Sequence, residues 1–179
     1  MASADAVSRE LPEPSVGETL VVLAQGRDPG NLGTIIRTAD AFGAVGVITV
    51  SGTVEATSPK VVRASAGSVF HIPVCVVSSF EEAHTLIHRR SAALLGTSGG
   101  AGSLDLSQML AQGVSGRSRL SQSHAWVFGN EAKGLSGAEM RLCDALVSIP
   151  MTGDAESLNV ASAATACLFA SQTVRGMTL

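Results

Sequence analysis

The chain has 179 residues, of which 45% are hydrophobic and 15% charged, and it carries a formal net charge of −3. This length and balance are typical of a single domain with a proper hydrophobic core, and they exclude a protein that binds nucleic acid through overall positive charge. Because no run reaches about 18 apolar residues, the sequence also predicts no membrane-spanning helix.

Residues 1–18 are polar, mixed in charge and interrupted by prolines. They lack the shape of a signal peptide and are expected to be a flexible lead-in or the stub of a linker, before a single domain at 19–179. The three cysteines lie in apolar runs without metal-ligand spacing, which favours reduced, buried thiols in a cytoplasmic protein. His84 and His88, one helical turn apart, lack a third ligand and are interpreted as surface residues, so no metal site is predicted.

Short β-branched and apolar runs alternate along the chain with stretches of helical periodicity. This alternation predicts right-handed parallel units, and hence an α/β fold with a mostly parallel sheet flanked by helices. The polar stretch 112–123 is expected to be mobile. Strands are predicted at 19–24, 45–50, 72–77, 92–96, 124–128 and 145–149, and helices at 31–42, 58–66, 79 or 80 to 90, 136–142 and 158–174.

Glycine-rich and polar loops follow the predicted strands that end near residues 24, 96, 128 and 149. The carboxyl ends of parallel strands share one edge of the sheet, where open α/β sheets bind their ligands. The loop TSGGAG lacks the lysine of a P-loop and G-x-G-x-x-G is absent, so neither a nucleoside triphosphate nor a dinucleotide site is indicated. One pocket at this edge is predicted to collect Asn31, Arg37, Thr97, Glu131, Ser157 and Asn159.

Several of these residues also have a purely structural interpretation. Asn31 and Ser157 stand where side chains cap helices, and Asn159 fits a first-turn polar residue that faces water. Arg37 lies off the apolar face of its helix and fits a solvated arginine. Glu131 fits the exposed tip of the turn GNEAKG. From the residues alone, both interpretations stay open.

Three blocks, DPGNLGTIIRTADAFGAVGVI, VFGNEAKGLS and VSIPMTGDAESLNVASAA, resemble the three motifs of the SpoU (TrmH-like) branch of the SPOUT RNA methyltransferases. They stand in the family's order and with its approximate separations, and VVRASAGSVFHIPV between the first two is similar as well. The resemblance covers 19–175, and three ordered motifs are far more specific than any one of them.

The resemblance implies an enzyme that transfers a methyl group from S-adenosylmethionine to a ribose 2′-hydroxyl of RNA, with ribosomal RNA favoured over transfer RNA. It also implies a homodimer with its sites near the subunit interface. The C-terminal segment is expected to be threaded into a deep trefoil knot.

The family pattern also implies roles for individual residues. Because arginine does not give up its proton in proteins, we interpret Arg37 as a holder of the neighbouring RNA phosphate, with the phosphate or a water accepting the proton. The implied catalytic residues are Arg37, Asn31, Glu131, Ser157 and Asn159. The implied cofactor-binding residues are Thr97, Ser98, Gly99, Gly129, Asn130, Glu131, Gly134, Ile149, Met151, Ser157, Leu158 and Asn159.

Two departures from the family pattern bear on the turn and on RNA binding. Ala132 stands where the family often has glycine, which still permits the turn if its φ is negative. Many relatives carry a separate N-terminal RNA-binding domain, whereas only residues 1–18 precede the first predicted strand. The chain is therefore expected to be a catalytic fragment, or a minimal enzyme whose dimer supplies the RNA surface. The alternative functions are a non-catalytic RNA-binding module of the same fold and another small-molecule transferase.

Overall fold

The structure is a computed structural model that describes residues 10–113, 115–130 and 132–178. Within these residues it contains a seven-stranded, all-parallel sheet with helices between the strands. The strands are β1 (Thr19–Leu23), β2 (Gly46–Val50), β3 (Val74–Val77), β4 (Ala93–Thr97), β5 (Leu104–Asp105), β6 (His124–Phe128) and β7 (Ala145–Ser148). The helices are α1 (Pro29–Ala41), α2 (Pro59–Ala64), α3 (Phe80–Arg89), α4 (Leu106–Gly113), α5 (Gly137–Leu142) and α6 (Val160–Thr178).

The strand order β3-β2-β1-β6-β4-β7-β5 confirms the predicted parallel sheet flanked by helices. The interior strand β1 pairs Val21 with Val47 of β2 on one side and with Trp126 of β6 on the other. All residues of β1 are buried because helices cover both faces of the sheet. Successive side chains enter different cores, since Val21 packs with Ile35 of α1 on one face and Val22 lies in the core on the other face.

The strands that carry the predicted site, β1, β6, β4 and β7, are neighbours in the sheet. Their carboxyl ends therefore meet at one edge, as the sequence predicts. The direction in which the chain adds strands to the sheet also changes there: β2 and β3 lie on one side of β1, whereas β6, β4 and β7 lie on its other side. Such a topological switch opens a crevice at the carboxyl ends of the strands, which is where open α/β sheets bind ligands.

The region between β4 and β6 differs from its prediction. The sequence patterns predict neither β5 nor α4, and the segment 112–123, predicted to be mobile, contains two residues that are buried in the domain, Ser118 and Leu120. Leu120 is completely buried, and the Oγ of buried Ser118 accepts a hydrogen bond from the Leu120 N–H at 3.2 Å. A short 3₁₀ turn, Arg119–Ser121, contacts both α4 and α6. A single leucine, Leu120, anchors this polar stretch in the core. The prediction missed it because it used the average composition of the stretch.

Residues 10–18 lie against the domain. Arg90 donates from Nε and Nη2 to the two carboxylate oxygens of Glu18 at 2.7 and 2.8 Å, and both side chains are buried. Although burial by itself raises the pKa of the Glu18 carboxyl, the hydrogen bonds from Arg90 and Ser15 lower it below its ordinary value. The first part of the predicted lead-in, residues 1–9, lies outside the described residues.

A buried polar network fastens α6 to the sheet. The Nε1–H of Trp126 donates to Oγ of Ser171 at 2.8 Å, and Nε2 of His124 lies 2.8 Å from the same oxygen. Nδ1 of His124 is 2.7 Å from the carbonyl oxygen of Gln122. A carbonyl only accepts hydrogen bonds, so Nδ1 carries the proton and Nε2 accepts from Ser171. Burial lowers the pKa of His124 to about 4, and the ring is neutral at physiological pH.

None of the helices within the described ranges is both long enough and apolar enough to cross a lipid bilayer. The knot that the resemblance implies for the C-terminal segment stays a prediction.

Candidate active site

The loops after β4, β6 and β7 enclose a cavity of ≈ 420 Å³ at the carboxyl edge of the sheet. Ligand pockets for small molecules and cofactors commonly measure about 300–1,000 Å³, so a nucleoside-sized ligand fits this space. Most residues that the resemblance assigns to the cofactor line it. They are Thr97, Ser98, Gly99, Gly129, Asn130, Gly134, Ile149, Met151, Ser157 and Leu158.

Two of the assigned cofactor residues do not appear in that lining. Glu131 lies outside the described residues. Asn159 lines a separate, open hollow next to the cavity, together with Arg27, Asp28 and Asn31. The cavity and the hollow are nonetheless close along the chain, since Ser157 and Leu158 line the first and Asn159 lines the second.

Sequence reasoning missed two further groups of residues in the cavity. The first group is apolar and forms the floor, and its pattern is that of ordinary core residues, so no sequence signal distinguishes them. The second group lies in the polar loops, where the prediction of cofactor-binding residues concentrated on the glycines and amides. The floor contains Phe128, Leu135, Met140, Val147, Val160 and Ala163, and the loops add Ala132, Lys133 and Glu156.

The loop after β6 is held by its own backbone. Asn130 and Gly134 exchange N–H···O hydrogen bonds of 2.9 and 2.8 Å, and the side-chain oxygen of Asn130 accepts from the N–H groups of Ala132 and Lys133 at 2.9 and 3.1 Å. A Cβ on Gly129 would lie 2.3 Å from the backbone of Gly134, a distance that only glycine avoids. The loop is therefore a fixed wall of the cavity, and the alanine at position 132 is compatible with it.

The loop after β4 is fixed by its neighbours in the sheet. The hydroxyl of Thr97 donates to the carbonyl oxygen of Val127 in β6 at 3.0 Å. The N–H of Ser98 donates to the carbonyl oxygen of Val147 in β7 at 3.0 Å. The cavity wall formed by Thr97 and Ser98 is therefore positioned by both adjacent strands.

An amide pair closes the polar hollow. Nδ2 of Asn159 donates to Oδ1 of Asn31 at 3.0 Å. The orientation of the Asn159 amide is set by its own helix, because Oδ1 accepts from the N–H groups of Ala161 and Ser162 at 2.8 and 3.4 Å. Asn159 thus caps α6 and joins it to α1 with the same side chain.

Both helix caps near the site differ from their predictions. Asp28, not Asn31, caps α1, and its Oδ1 accepts from the Asn31 N–H at 2.9 Å. Asn159, not Ser157, caps α6. The reason in α1 is Pro29, which is well suited to the first helical position and so starts the helix ahead of Asn31. The side chain of Asn31 is thereby available to Asn159.

Arg37 is exposed on α1 and lines neither the cavity nor the hollow. The structure therefore does not bring Arg37 into the predicted pocket.

The described part of the chain contains no group of three His, Cys, Asp or Glu side chains arranged to hold a metal ion. Of the two histidines predicted to lie at the surface, His88 is exposed, and its Nε2 lies 3.5 Å from Oδ2 of Asp144. Desolvation raises the pKa of Cys143 to about 11, so this half-buried thiol, which does not line the cavity, stays protonated at neutral pH.

The fold and the site together define a class: α/β proteins with a nucleoside-sized cavity at the carboxyl edge of a parallel sheet, beside an open polar hollow. Residues 18–169 match the model of the SpoU rRNA Methylase family, and the chain belongs to that family. This membership confirms the resemblance seen in the three sequence blocks.

Two relatives of this chain are longer than it is. A 23S rRNA (uridine(2479)-2'-O)-methyltransferase of Streptomyces viridochromogenes is 42% identical over 146 residues, which are 79% of this chain and 47% of the relative. The 23S rRNA (guanosine(2553)-2'-O)-methyltransferase RlmP of Bacillus subtilis strain 168 is 38% identical over 140 residues, 77% of this chain and 51% of the relative. The chain therefore spans about half the length of these two relatives.

A solved structure shares the fold. The SpoU methyltransferase AviRb from Streptomyces viridochromogenes, crystallised in complex with the cofactor AdoMet, matches with a TM-score of 0.77 at 37% identity. The match covers 90% of this chain and 61% of AviRb.

Proposed function

We propose that this protein transfers a methyl group from S-adenosylmethionine to a ribose 2′-hydroxyl of RNA, with ribosomal RNA as its substrate. One observation carries the proposal: the loop at 157–159 borders the nucleoside-sized cavity with Ser157 and the polar hollow with Asn159. A methyl donor in the cavity and a ribose in the hollow would meet at this loop. The names of the relatives, both 23S rRNA 2′-O-methyltransferases, support the choice of ribosomal RNA.

The cavity suits the cofactor in both its apolar and its polar parts. Buried Phe128 and Val147 offer an apolar floor to a flat base. The loops after β4 and β6 present glycine-rich backbone, which can approach a ligand closely. When bound, S-adenosylmethionine supplies an electrophilic methyl group on a sulfonium. The loops after β4, β6 and β7 fix its position, which is the main requirement for an in-line displacement.

Asn31 and Asn159 form the acceptor side of the proposed site. Their 3.0 Å hydrogen bond fixes the two amides beside the hollow, where polar groups suit a ribose. During transfer the 2′ oxygen forms a bond to the methyl carbon while the sulfur–carbon bond breaks, and the hydroxyl proton passes to an RNA phosphate or a water. Ser157 orients the ribose from the cavity side. Glu131, outside the described residues, is proposed to anchor its turn or Arg37.

A second copy of the chain completes the proposed enzyme. Arg37 lines neither the cavity nor the hollow within one chain, so we infer that dimer formation brings it to a site at the subunit interface. Phe169 on α6 supports a dimer, because 53% of it is exposed, and its ring meets that of Phe42 edge to face at 6.0 Å. An exposed aromatic ring that packs on a half-buried one is typical of an interface. At the dimer interface Arg37 would hold an RNA phosphate through its paired N–H groups.

RNA affinity is proposed to come from the dimer surface or from a further RNA-binding segment. The net charge of −3 provides little overall attraction for a polyanion. The chain spans about half the length of the two relatives from Streptomyces viridochromogenes and Bacillus subtilis, which leaves room in those two proteins for additional RNA-binding parts. A cytoplasmic location is proposed because Cys143 and Cys167 are thiols that form no disulfide within the described residues.

Titration calorimetry tests the cofactor part of this proposal. Saturable binding of one S-adenosylmethionine, or one S-adenosylhomocysteine, per chain is expected. A folded protein that binds neither ligand would contradict the methyltransferase assignment and favour a non-catalytic module. Transfer of labelled methyl groups to ribosomal and transfer RNA, followed by nuclease mapping, then tests the acceptor. Label on the base, or on transfer RNA alone, would contradict the proposed substrate.

A further inference from the structure

The cavity contains two charged side chains among its described lining residues. Lys133 stands in the loop after β6, and Glu156 stands in the loop after β7. Every other described residue of the lining is neutral. A neutral nucleoside would need neither charge, so this pair points to a ligand that carries both signs.

Both side chains are available to a ligand. Neither makes an ion pair or a side-chain hydrogen bond with another residue in the described ranges, and both residues are exposed. By contrast, Phe128 and Val147 on the floor are completely buried. The cavity thus has an apolar floor and a mouth that carries one positive and one negative group.

We infer that Lys133 and Glu156 hold the amino-acid end of the adenosyl cofactor at the mouth of the cavity. Lys133 binds the carboxylate of the cofactor, and Glu156 binds its ammonium group. This inference rests on the proposed function. It places the base on the apolar floor and the zwitterion where charges keep part of their hydration. Opposite charges then meet in pairs, and no charge has to be buried alone.

The ammonium is a better partner for Glu156 than the sulfonium is. Methyl transfer removes the positive charge from sulfur, so a carboxylate that held the sulfonium would stabilise the reactant more than the transition state. The ammonium keeps its charge throughout the reaction. A contact from Glu156 to the ammonium therefore strengthens binding without slowing transfer.

Four ligands separate these contacts when their dissociation constants are measured by calorimetry. S-adenosylmethionine has the sulfonium and the zwitterion, and S-adenosylhomocysteine has the zwitterion only. Decarboxylated S-adenosylmethionine lacks the carboxylate. Methylthioadenosine lacks the whole amino-acid end. The variants are Lys133→Ala and Glu156→Gln, with Arg89→Ala and Glu81→Gln on exposed positions of α3 as controls that make the same charge changes away from the cavity.

Lys133→Ala is expected to weaken S-adenosylhomocysteine about three- to tenfold, because contacts between exposed charges are modest. It should leave decarboxylated S-adenosylmethionine and methylthioadenosine unchanged. Glu156→Gln should weaken S-adenosylmethionine and S-adenosylhomocysteine by the same factor and leave methylthioadenosine unchanged. Both control variants should bind all four ligands as the unsubstituted protein does.

Three results would overturn the inference. Equal weakening of methylthioadenosine and S-adenosylhomocysteine would show that the side chains only shape the cavity. A loss on Glu156→Gln confined to S-adenosylmethionine would place the carboxylate at the sulfonium. Unchanged binding of all four ligands would show that neither charge takes part. If the unsubstituted protein bound none of the four, the proposed function itself would fail, and this outcome is distinct from the others.

Discussion

Asn159 donates from Nδ2 to Oδ1 of Asn31 at 3.0 Å, although 128 residues separate them in the chain. The same Asn159 side chain caps α6 through its Oδ1. One residue therefore sets the start of the last helix and the position of an amide on the first helix. The polar hollow depends on a contact between the two ends of the domain.

The variant Asn159→Asp separates these two functions. An aspartate still caps α6, so the free energy of unfolding should change by less than about 0.5 kcal/mol. It cannot donate to Asn31, and its charge repels Oδ1 of that residue. Methyl transfer should fall about 100-fold because the acceptor side is misplaced, while S-adenosylhomocysteine binding stays intact. Single-turnover kinetics, calorimetry and thermal unfolding measure the three quantities, and an unimpaired transfer rate would contradict the assigned role.

Arg37→Ala should abolish methyl transfer and leave cofactor affinity nearly unchanged, because Arg37 is an exposed residue of α1 and does not line the cavity. Arg37→Lys should not restore the rate, since a lysine cannot hold a phosphate through two parallel N–H groups. Arg89→Ala serves as the control for loss of one positive charge. A large loss of cofactor affinity in Arg37→Ala would refute the phosphate-holding role.

Gly129→Ala should disrupt the cavity wall after β6. The new Cβ would lie 2.3 Å from the backbone of Gly134, so the loop must open. We expect at least a tenfold loss of S-adenosylhomocysteine affinity, together with destabilisation of about 2 kcal/mol. Gly153→Ala is the matched control, because its Cβ would meet no atom within 4 Å. Calorimetry measures the affinity for S-adenosylhomocysteine, and thermal unfolding measures the stability. Equal affinities in the two variants would show that the loop after β6 can move without loss of cofactor binding.

Except for β5, the strands of the described residues were predictable because each is a short apolar run between turn residues, and β6 runs over the predicted residues, His124–Phe128. The two helix caps were predicted wrongly. Pro29 was a visible signal for Asp28 as the cap of α1, whereas no local signal distinguishes Asn159 from Ser157 as the cap of α6. The contact of Asn31 with Asn159 is long-range and leaves no local signal. The charges of Lys133 and Glu156 were visible in the sequence, but their shared cavity depends on the order of β6, β4 and β7.

Stability should fall as the pH drops from 7 to 5, because of His124. Its pKa is about 4 in the folded protein and 6.5 as the ordinary value, so the unfolded chain takes up a proton that the folded protein excludes. The associated loss is absent above pH 7 and grows below pH 6.5, reaching about 2 kcal/mol at pH 5. Denaturant unfolding at several pH values measures it. His124→Gln should flatten this dependence, and His84→Gln should retain it.

The pH window separates His124 from the buried carboxylate at Glu18. The folded pKa of Glu18 is lowered from 4.5, so its contribution is present above pH 4.5 and is lost at lower pH. Loss of stability between pH 7 and 5 therefore reports mainly the histidine. An unchanged slope in His124→Gln would show that another group controls it.

The unsubstituted chain should sediment as a dimer at micromolar concentration, through the face that carries Phe169. Phe169→Glu places a charge on that face and should yield a folded monomer, since a buried unpaired carboxylate opposes association. Val16→Glu is the matched control, because Val16 is also exposed but lies in the N-terminal segment. The monomer should still bind S-adenosylhomocysteine while losing methyl transfer, because the partner subunit's Arg37 is then absent. A monomeric unsubstituted chain, or a Phe169→Glu variant that remains dimeric, would rule out this interface.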